Sequence, residues 1–276
     1  MRTHPGTIAN VELTAFYCCA QRERDAGDAD SLCGDRYASR FLDDALRRRL
    51  APLLGDDAAH ACNMARHRLI DDLVRDALTR DPGRRVLIVG AGLDTRAFRL
   101  GGGRWLELDH PAILAIKEAT LPERAAPNPL TRIAFDHRRE SLAGVLAPLA
   151  GDDEALVVLE GVSVYLGQDA LGALAGAVRA ALPRAQLIAD LTNGAFLRWF
   201  GRDTAERFAA LGTPFVPGDR HPREAVESAG WLATATASIT DRVHAWRPGL
   251  LPQLRSPQAE RMRREGYAVW TFAPDA

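Results

Sequence analysis

Gly90 and Gly92 follow a run of four aliphatic residues, Val86 to Val89, and Asp109 ends a second apolar run nineteen residues after Gly90. That arrangement can hold a nucleoside. The glycines permit a tight turn and a close approach of backbone to ligand. An acid at this distance from a glycine-rich first loop is the expected partner of ribose hydroxyls. A dinucleotide would call for a third glycine, so that a pyrophosphate can sit on the helix N-terminus. Thr95 stands there instead, with Asp94 before it. An acid in that turn repels a pyrophosphate and suits a cofactor carrying an ammonium and a sulfonium. S-adenosyl-L-methionine fits that description.

Two more acids end apolar runs, Asp136 after 131–135 and Glu160 after 155–159. Ligands of open α/β sheets sit outside the carboxyl ends of the strands, so Asp109, Asp136 and Glu160 should converge on one crevice. Asp109 would take the ribose hydroxyls, Asp136 the adenine amino group and Glu160 the methionine ammonium; each target is a donor, which a carboxylate serves. Singly, each acid also reads as a helix cap or solvated turn. His110 and His137 directly follow two of them and should line the adenosine site. Tyr165, just past the fourth strand, points toward the place of the methyl group, although a packed tyrosine with a satisfied hydroxyl reads equally well.

These residues need a sheet to carry them. The unbroken run Val86–Val89 reads as a strand buried on both faces, as in a parallel sheet. Strands over 105–109, 131–136, 155–161 and 186–190 alternate with helices over 111–121, 141–150 and 169–182, which predicts a doubly wound sheet. Period-two patterns at 231–239 and 267–273 predict an antiparallel pair at its edge, joined by a largely irregular linker 243–260 containing Pro248, Pro252 and Pro257. Helical periodicity over 10–24, 35–55 and 62–80 makes residues 1–80 a helical cover for the cofactor-binding unit 81–276, the two together forming one compact body. The segment 192–222, with five aromatic residues among polar ones, reads as an inserted lid.

Composition narrows the partners. A net charge of −1 leaves no electrostatic footprint for nucleic acid. No apolar run reaches the ~18–20 residues of a membrane span, and the first residues lack a signal-peptide core. Cys18, Cys19, Cys33 and Cys62 match no zinc spacing and read as reduced thiols of a cytoplasmic protein. Lys117 is the only lysine. So strong an arginine bias weakens any argument that a given arginine was chosen for its geometry.

The motifs at 90–96 (Gly-Ala-Gly-Leu-Asp-Thr-Arg), 107–111 (Glu-Leu-Asp-His-Pro) and 159–166 (Leu-Glu-Gly-Val-Ser-Val-Tyr-Leu) occur in that order. Together they resemble the leucine carboxyl methyltransferase family, whose bacterial branch includes polyketide O-methyltransferases of the tetracenomycin type. The resemblance spans roughly residues 12–190. It implies a class I, Rossmann-like, seven-stranded S-adenosyl-L-methionine methyltransferase with a helical N-terminal cover, and it sets Gly161 beside Glu160 at the cofactor. It also implies an arginine for the cofactor carboxylate on the helix before the first strand. Arg66 stands there, with Arg68 a near competitor, and a basic residue near the substrate falls at Arg22 or Arg24. The expected activity is O-methylation of a carboxylate or phenol on a small, polyketide-like molecule. Alternatives are methyl esterification of a peptide C-terminus and a methyltransferase-like protein that does not methylate. A nicotinamide oxidoreductase is disfavoured by the missing third glycine and the antiparallel edge.

Overall fold

The computed structural model describes residues 10–136, 139–151, 154–216, 218 and 220–275. At its centre lies β1 (Arg85–Val89), whose four aliphatic side chains alternate between two cores. Val86 and Ile88 face one, Leu87 and Val89 the other. A strand's period of two turns an unbroken apolar run into two buried faces, so β1 must be covered on both sides.

The first face is covered by the N-terminal helices α1 (Asn10–Ala26), α2 (Asp44–Leu50) and α3 (Asp57–Arg80). Asp56 caps α3 by accepting from Ala59 N, and the turn Asp81-Pro82-Gly83 ends it. The helix expected over 35–55 is divided. A 3-10 turn (Ala38–Phe41) comes first, and Asp43 then opens α2 by accepting from Leu46 N. Asp43 is extended, so its capping geometry breaks the helix that the periodicity would have carried through.

After β1 come α4 (Arg96–Arg99), β2 (Arg104–Asp109), α5 (Pro111–Thr120), β3 (Leu130–Ala134), α6 (Leu142–Leu146) and β4 (Leu156–Leu159). Next are α7 (Gln168–Ala181), β5 (Gln186–Thr192), α8 (Gly194–Trp199), α9 (Arg202–Ala210) and α10 (Pro222–Glu227). The chain finishes with β6 (Trp231–Ser238), α11 (Ile239–Trp246), α12 (Pro257–Gly266) and β7 (Tyr267–Pro274). The seven strands form one sheet in the order β3-β2-β1-β4-β5-β7-β6. β1 to β5 run parallel, and β7 pairs antiparallel with both β5 and β6. Helices α6, α7 and α10 line the second face.

The linker 243–260 is not irregular throughout. It holds the end of α11 and the start of α12. Ser256 caps α12 through Ala259 N, and Pro257 occupies the first turn, where its missing N–H costs nothing. The prolines delimit helices here and do not abolish them. Among the described residues no helix is long and apolar enough to cross a membrane.

Leu87 tests the two-sided burial of β1. It is fully enclosed between β2 and β4. Leu87→Ala should lower the unfolding free energy by about 2–5 kcal/mol in urea titrations. A loss below about 1 kcal/mol would mean that the strand is less enclosed than described.

Candidate functional site

The chain moves outward from β1 to β2 and β3, then returns to place β4 on the other side of β1. The loops that leave β1 and β4 therefore diverge and open a crevice at the carboxyl ends of the strands. Gly90 (φ +70°) and Gly161 (φ +67°) stand on either side of it, in backbone conformations that favour glycine. A Cβ on Gly90 would lie 2.6 Å from Val162 Cγ2, so the two loops meet at that residue. Gly90 N and Ala91 N both donate to the Leu108 carbonyl (2.9 and 3.1 Å), which draws the loop toward β2. There Asp109 accepts from Gly92 N and from His110 N, each at 2.6 Å. Burial pushes the Asp109 carboxyl up from its ordinary range, opposed by those two N–H groups.

Behind the crevice lies a cluster of buried charge. Arg96 is fully enclosed; it donates to Asp71 (2.6 Å) and Asp94, and lies 2.7 Å from Glu160. Arg99 holds the other oxygen of Asp71 (2.7 Å) and donates to His67 Nε2 (2.7 Å). The other ring nitrogen, Nδ1, lies 2.8 Å from Arg96 Nη2 and 3.1 Å from Glu160, so guanidinium groups face both sides of the imidazole. Arg22 ties α1 to the loop after β1 through Asp35 (2.8 Å) and the Leu93 carbonyl (2.6 Å). Arg66, also buried, donates to Glu160 (3.2 Å), to the Tyr267 hydroxyl (3.1 Å) and, more distantly, to Asp190 (3.4 Å). Four guanidinium groups (Arg22, Arg66, Arg96, Arg99) thus face five carboxylates (Asp35, Asp71, Asp94, Glu160, Asp190). The half-exposed Arg75 adds a further guanidinium, 3.5 Å from Asp71.

The same environment sets the protonation states. Burial alone would raise Asp71 and Glu160, but Arg96 and its neighbours outweigh it and hold both carboxyls below the usual range. Burial, reinforced by Arg96, lowers His67. His67, Asp94 and Glu160 bring potential metal-ligand atoms within 4.8 Å of one another, and the guanidinium of Arg96 already occupies that cationic position.

On the far side of Arg66 lies a cavity of about 370 Å³, with Gly161 in its lining. Two sets of rings line it. Tyr17, Phe208, Phe215 and Tyr165 form one series, with successive ring centroids 5.0, 5.3 and 5.4 Å apart. Phe200, Phe196 and Tyr267 form the other, at 5.5 and 5.3 Å. Phe196 and Phe200 come from α8 and its end, Phe208 from α9, so the aromatic insertion does supply walls of the cavity. Volume and lining are those of a small-molecule site.

The residues singled out from sequence are distributed unevenly. Gly92 and Asp109 are in contact, as are Arg66 and Glu160, and Gly161 packs within 3.5 Å of Arg66 at its Cβ position. Asp94 spends both oxygens on Arg96, through the backbone N–H and the guanidinium. His110 is exposed and caps α5. Asp136 follows β3 with its carboxylate 3.4 Å from Arg139, and His137 lies outside the described residues. Arg68 turns away to Asp72 and the Leu32 carbonyl, and Arg24 to Leu54 and Asp57. Sequence reasoning missed Asp71, His67, Arg96, Asp190 and Tyr267. A signal existed for two of these. His67 and Asp71 fall in register with the buried Met64, Ile70 and Val74 of α3, polar residues on an apolar stripe.

Residues 14–179 match the model of the leucine carboxyl methyltransferase family. A candidate S-adenosyl-L-methionine-dependent methyltransferase of Streptomyces coelicolor is 32% identical over 242 residues, 82% of either chain. Another from Frankia alni is 34% identical over 198 residues, 68% of this chain and 67% of that one. Among solved structures, a candidate methyltransferase of Thermobifida fusca superposes with a TM-score of 0.56 at 17% identity, covering 93% of this chain and 94% of that one. The magnesium protoporphyrin IX methyltransferase of Synechocystis, solved with bound S-adenosylhomocysteine, gives 0.51 at 15% identity over the same shares. At such identities the likeness is one of fold.

The buried histidine makes stability depend on pH in a definite direction. His67 is neutral in the folded chain and protonates near 6.5 when unfolded, so the unfolded state binds the extra proton and stability falls as pH drops below about 6.5. His60 and His221, also lowered by burial, act in the same sense. Asp71 and Glu160 extend the loss below about pH 4.3, where their unfolded forms protonate first. Urea unfolding between pH 7 and about 5 should show declining stability, with a shallower slope in His67→Asn. An unchanged slope in that variant would refute a neutral, buried His67.

Proposed function

The chain belongs to the leucine carboxyl methyltransferase family, and from that premise we propose that it transfers the methyl group of S-adenosyl-L-methionine to an oxygen of a small molecule. The acceptor oxygen is a carboxylate or phenol of a polyketide-like natural product. One observation carries this reading: Arg66 and Gly161 border both the glycine-lined crevice and the aromatic cavity. A cofactor in the first and an acceptor in the second would meet there.

The residues present fit the cofactor. The positive φ of Gly90 and Gly161 turns the two loops sharply at the strand ends, and the absence of a Cβ lets Val162 pack against Gly90 and Arg66 against Gly161. Arg66 would hold the methionine carboxylate, Glu160 the ammonium, Asp109 the ribose and Asp136 the adenine amino group. Asp94 works through Arg96, which it helps to hold against Glu160. When bound, the cofactor supplies an electrophilic methyl carbon on a sulfonium.

The chain's own part is placement. In-line displacement needs the acceptor oxygen close to the methyl and aligned with the breaking bond, and holding that geometry supplies up to roughly 7–11 kcal/mol. The ring-lined walls exclude water and leave a flat molecule few orientations. Tyr165 stands in one wall, and burial raises its hydroxyl well above its ordinary range. It therefore acts as a protonated hydrogen-bonding group near the transfer, and not as a base.

Arg66 is the residue to vary. Arg66→Ala should weaken cofactor binding by about 1.5–3 kcal/mol in calorimetric titrations, and Arg66→Lys should recover only part, lacking the planar fork. Arg68→Ala should change affinity by less than about threefold, since Arg68 is engaged with Asp72 and Leu32. A silent Arg66→Ala would remove the carboxylate from this place and the reading with it.

A further inference from the structure

The cavity has aromatic walls, but where it meets β5 it holds a carboxylate, Asp190, that is 2% exposed. Its position is fixed from two sides. Oδ1 accepts from Gly161 N at 2.6 Å, and its backbone carbonyl accepts from Ser163 Oγ at 2.7 Å. Oδ2 is held more loosely, 3.4 Å from Arg66 Nη1, against 2.7 Å for Arg96 and Glu160 nearby. A carboxylate oxygen in that state keeps capacity for another donor. Around Asp190 stand Arg66 from α3, Glu160 after β4 and, through Arg66, the Tyr267 hydroxyl of β7.

We propose that the acceptor is an aromatic hydroxyl compound and that Asp190 takes its proton during transfer, an inference that rests on the methyltransferase reading of this site. A carboxylate acceptor arrives ionised and would meet the like charge of Asp190, whereas the guanidiniums that line the cavity, Arg66 and Arg263, are already paired with Glu160 and Glu260. A neutral hydroxyl instead donates to Oδ2, and the flanking rings accept its ring system. In the step, the hydroxyl oxygen bonds to the methyl carbon and the electron pair of the broken carbon–sulfur bond stays on sulfur, which becomes a neutral thioether. The hydroxyl proton passes to Oδ2 of Asp190 and then to water. Burial raises the Asp190 carboxyl, which narrows the gap to a phenol and makes it a better base than an exposed aspartate.

The test compares 2-naphthol with 2-naphthoate on protein saturated with S-adenosylhomocysteine, by calorimetry, for the unmodified chain and Asp190→Asn. Asparagine still accepts from Gly161 N and has no charge to repel the naphthoate. The unmodified chain should bind naphthol at least about tenfold more tightly than naphthoate, and Asp190→Asn should shift that ratio by about tenfold toward naphthoate. With S-adenosyl-L-methionine, the unmodified chain should methylate the naphthol oxygen, about a hundredfold faster than Asp190→Asn. Tighter binding of naphthoate by the unmodified chain, methylation of its carboxylate, or binding of neither probe would overturn the assignment. Should the variant fail to fold, the preference of the unmodified chain decides alone. Cofactor affinity, titrated on the same samples, keeps the two readings apart: a chain that binds cofactor yet prefers naphthoate loses this inference only.

Discussion

Arg96 is the interaction on which the site depends. Its guanidinium is fully buried among Asp71 of α3, Asp94 of the loop after β1 and Glu160 after β4. Isolated buried charges are costly, by several kcal/mol each even after relaxation, so such a cluster is tolerated only when every member is paired. The pairing constrains three separate stretches of chain at once. α3 cannot slide along the sheet, nor can either loop lift from its strand, without stranding a charge. Arg66, one turn from Ile70 on the same helix, is carried into the crevice by that constraint.

The two halves of the site have different physical origins. The crevice follows from topology: parallel strands with a reversal of order beside β1 leave diverging loops, and glycines at the strand ends let those loops pass close. The cavity follows from packing. α8 and α9 bring Phe196, Phe200 and Phe208 over the end of β5, and Tyr267 closes the wall where β7 pairs with Thr192. Trp199, 72% exposed, lies on the rim, the one large aromatic of the segment left to solvent. Charge is concentrated where the two halves join, and the cavity lining, though mostly apolar, also includes Asp56 and Arg263. A cationic cofactor and an aromatic acceptor would each meet the surface that suits it.

Much of the scaffold was legible in the sequence because its signals are local. Val86–Val89 reads as a strand from its composition alone, the acid after it at Asp109 from spacing, and the edge pair β6–β7 from alternation. Where local signals mislead, the reason is also local. Asp43 caps where periodicity would run on, and Pro257 starts a helix where proline was taken to forbid one. The charge cluster was not legible. Asp71, the Asp94–Arg96 pair and Glu160 are remote in sequence and become neighbours only through the packing of α3 on the sheet and the placement of β4 beside β1, which no spacing rule reports. Arg66 entered through a family resemblance, since the helical pattern alone cannot tell it from Arg68. Asp190 sits inside an apolar strand run, where a single acid reads as a boundary and not as a group facing a cavity.

The central claim is methyl transfer to oxygen at the junction of crevice and cavity. Its most direct test is mass spectrometry and NMR of the products formed when the protein is given trideuteromethyl S-adenosyl-L-methionine with hydroxynaphthoic acids, which offer a phenol and a carboxylate on one ring. The account predicts a labelled O-methyl product, lost together with cofactor binding in Arg66→Ala. Label on carbon, or bound cofactor with no labelled product from any such acid, would contradict it.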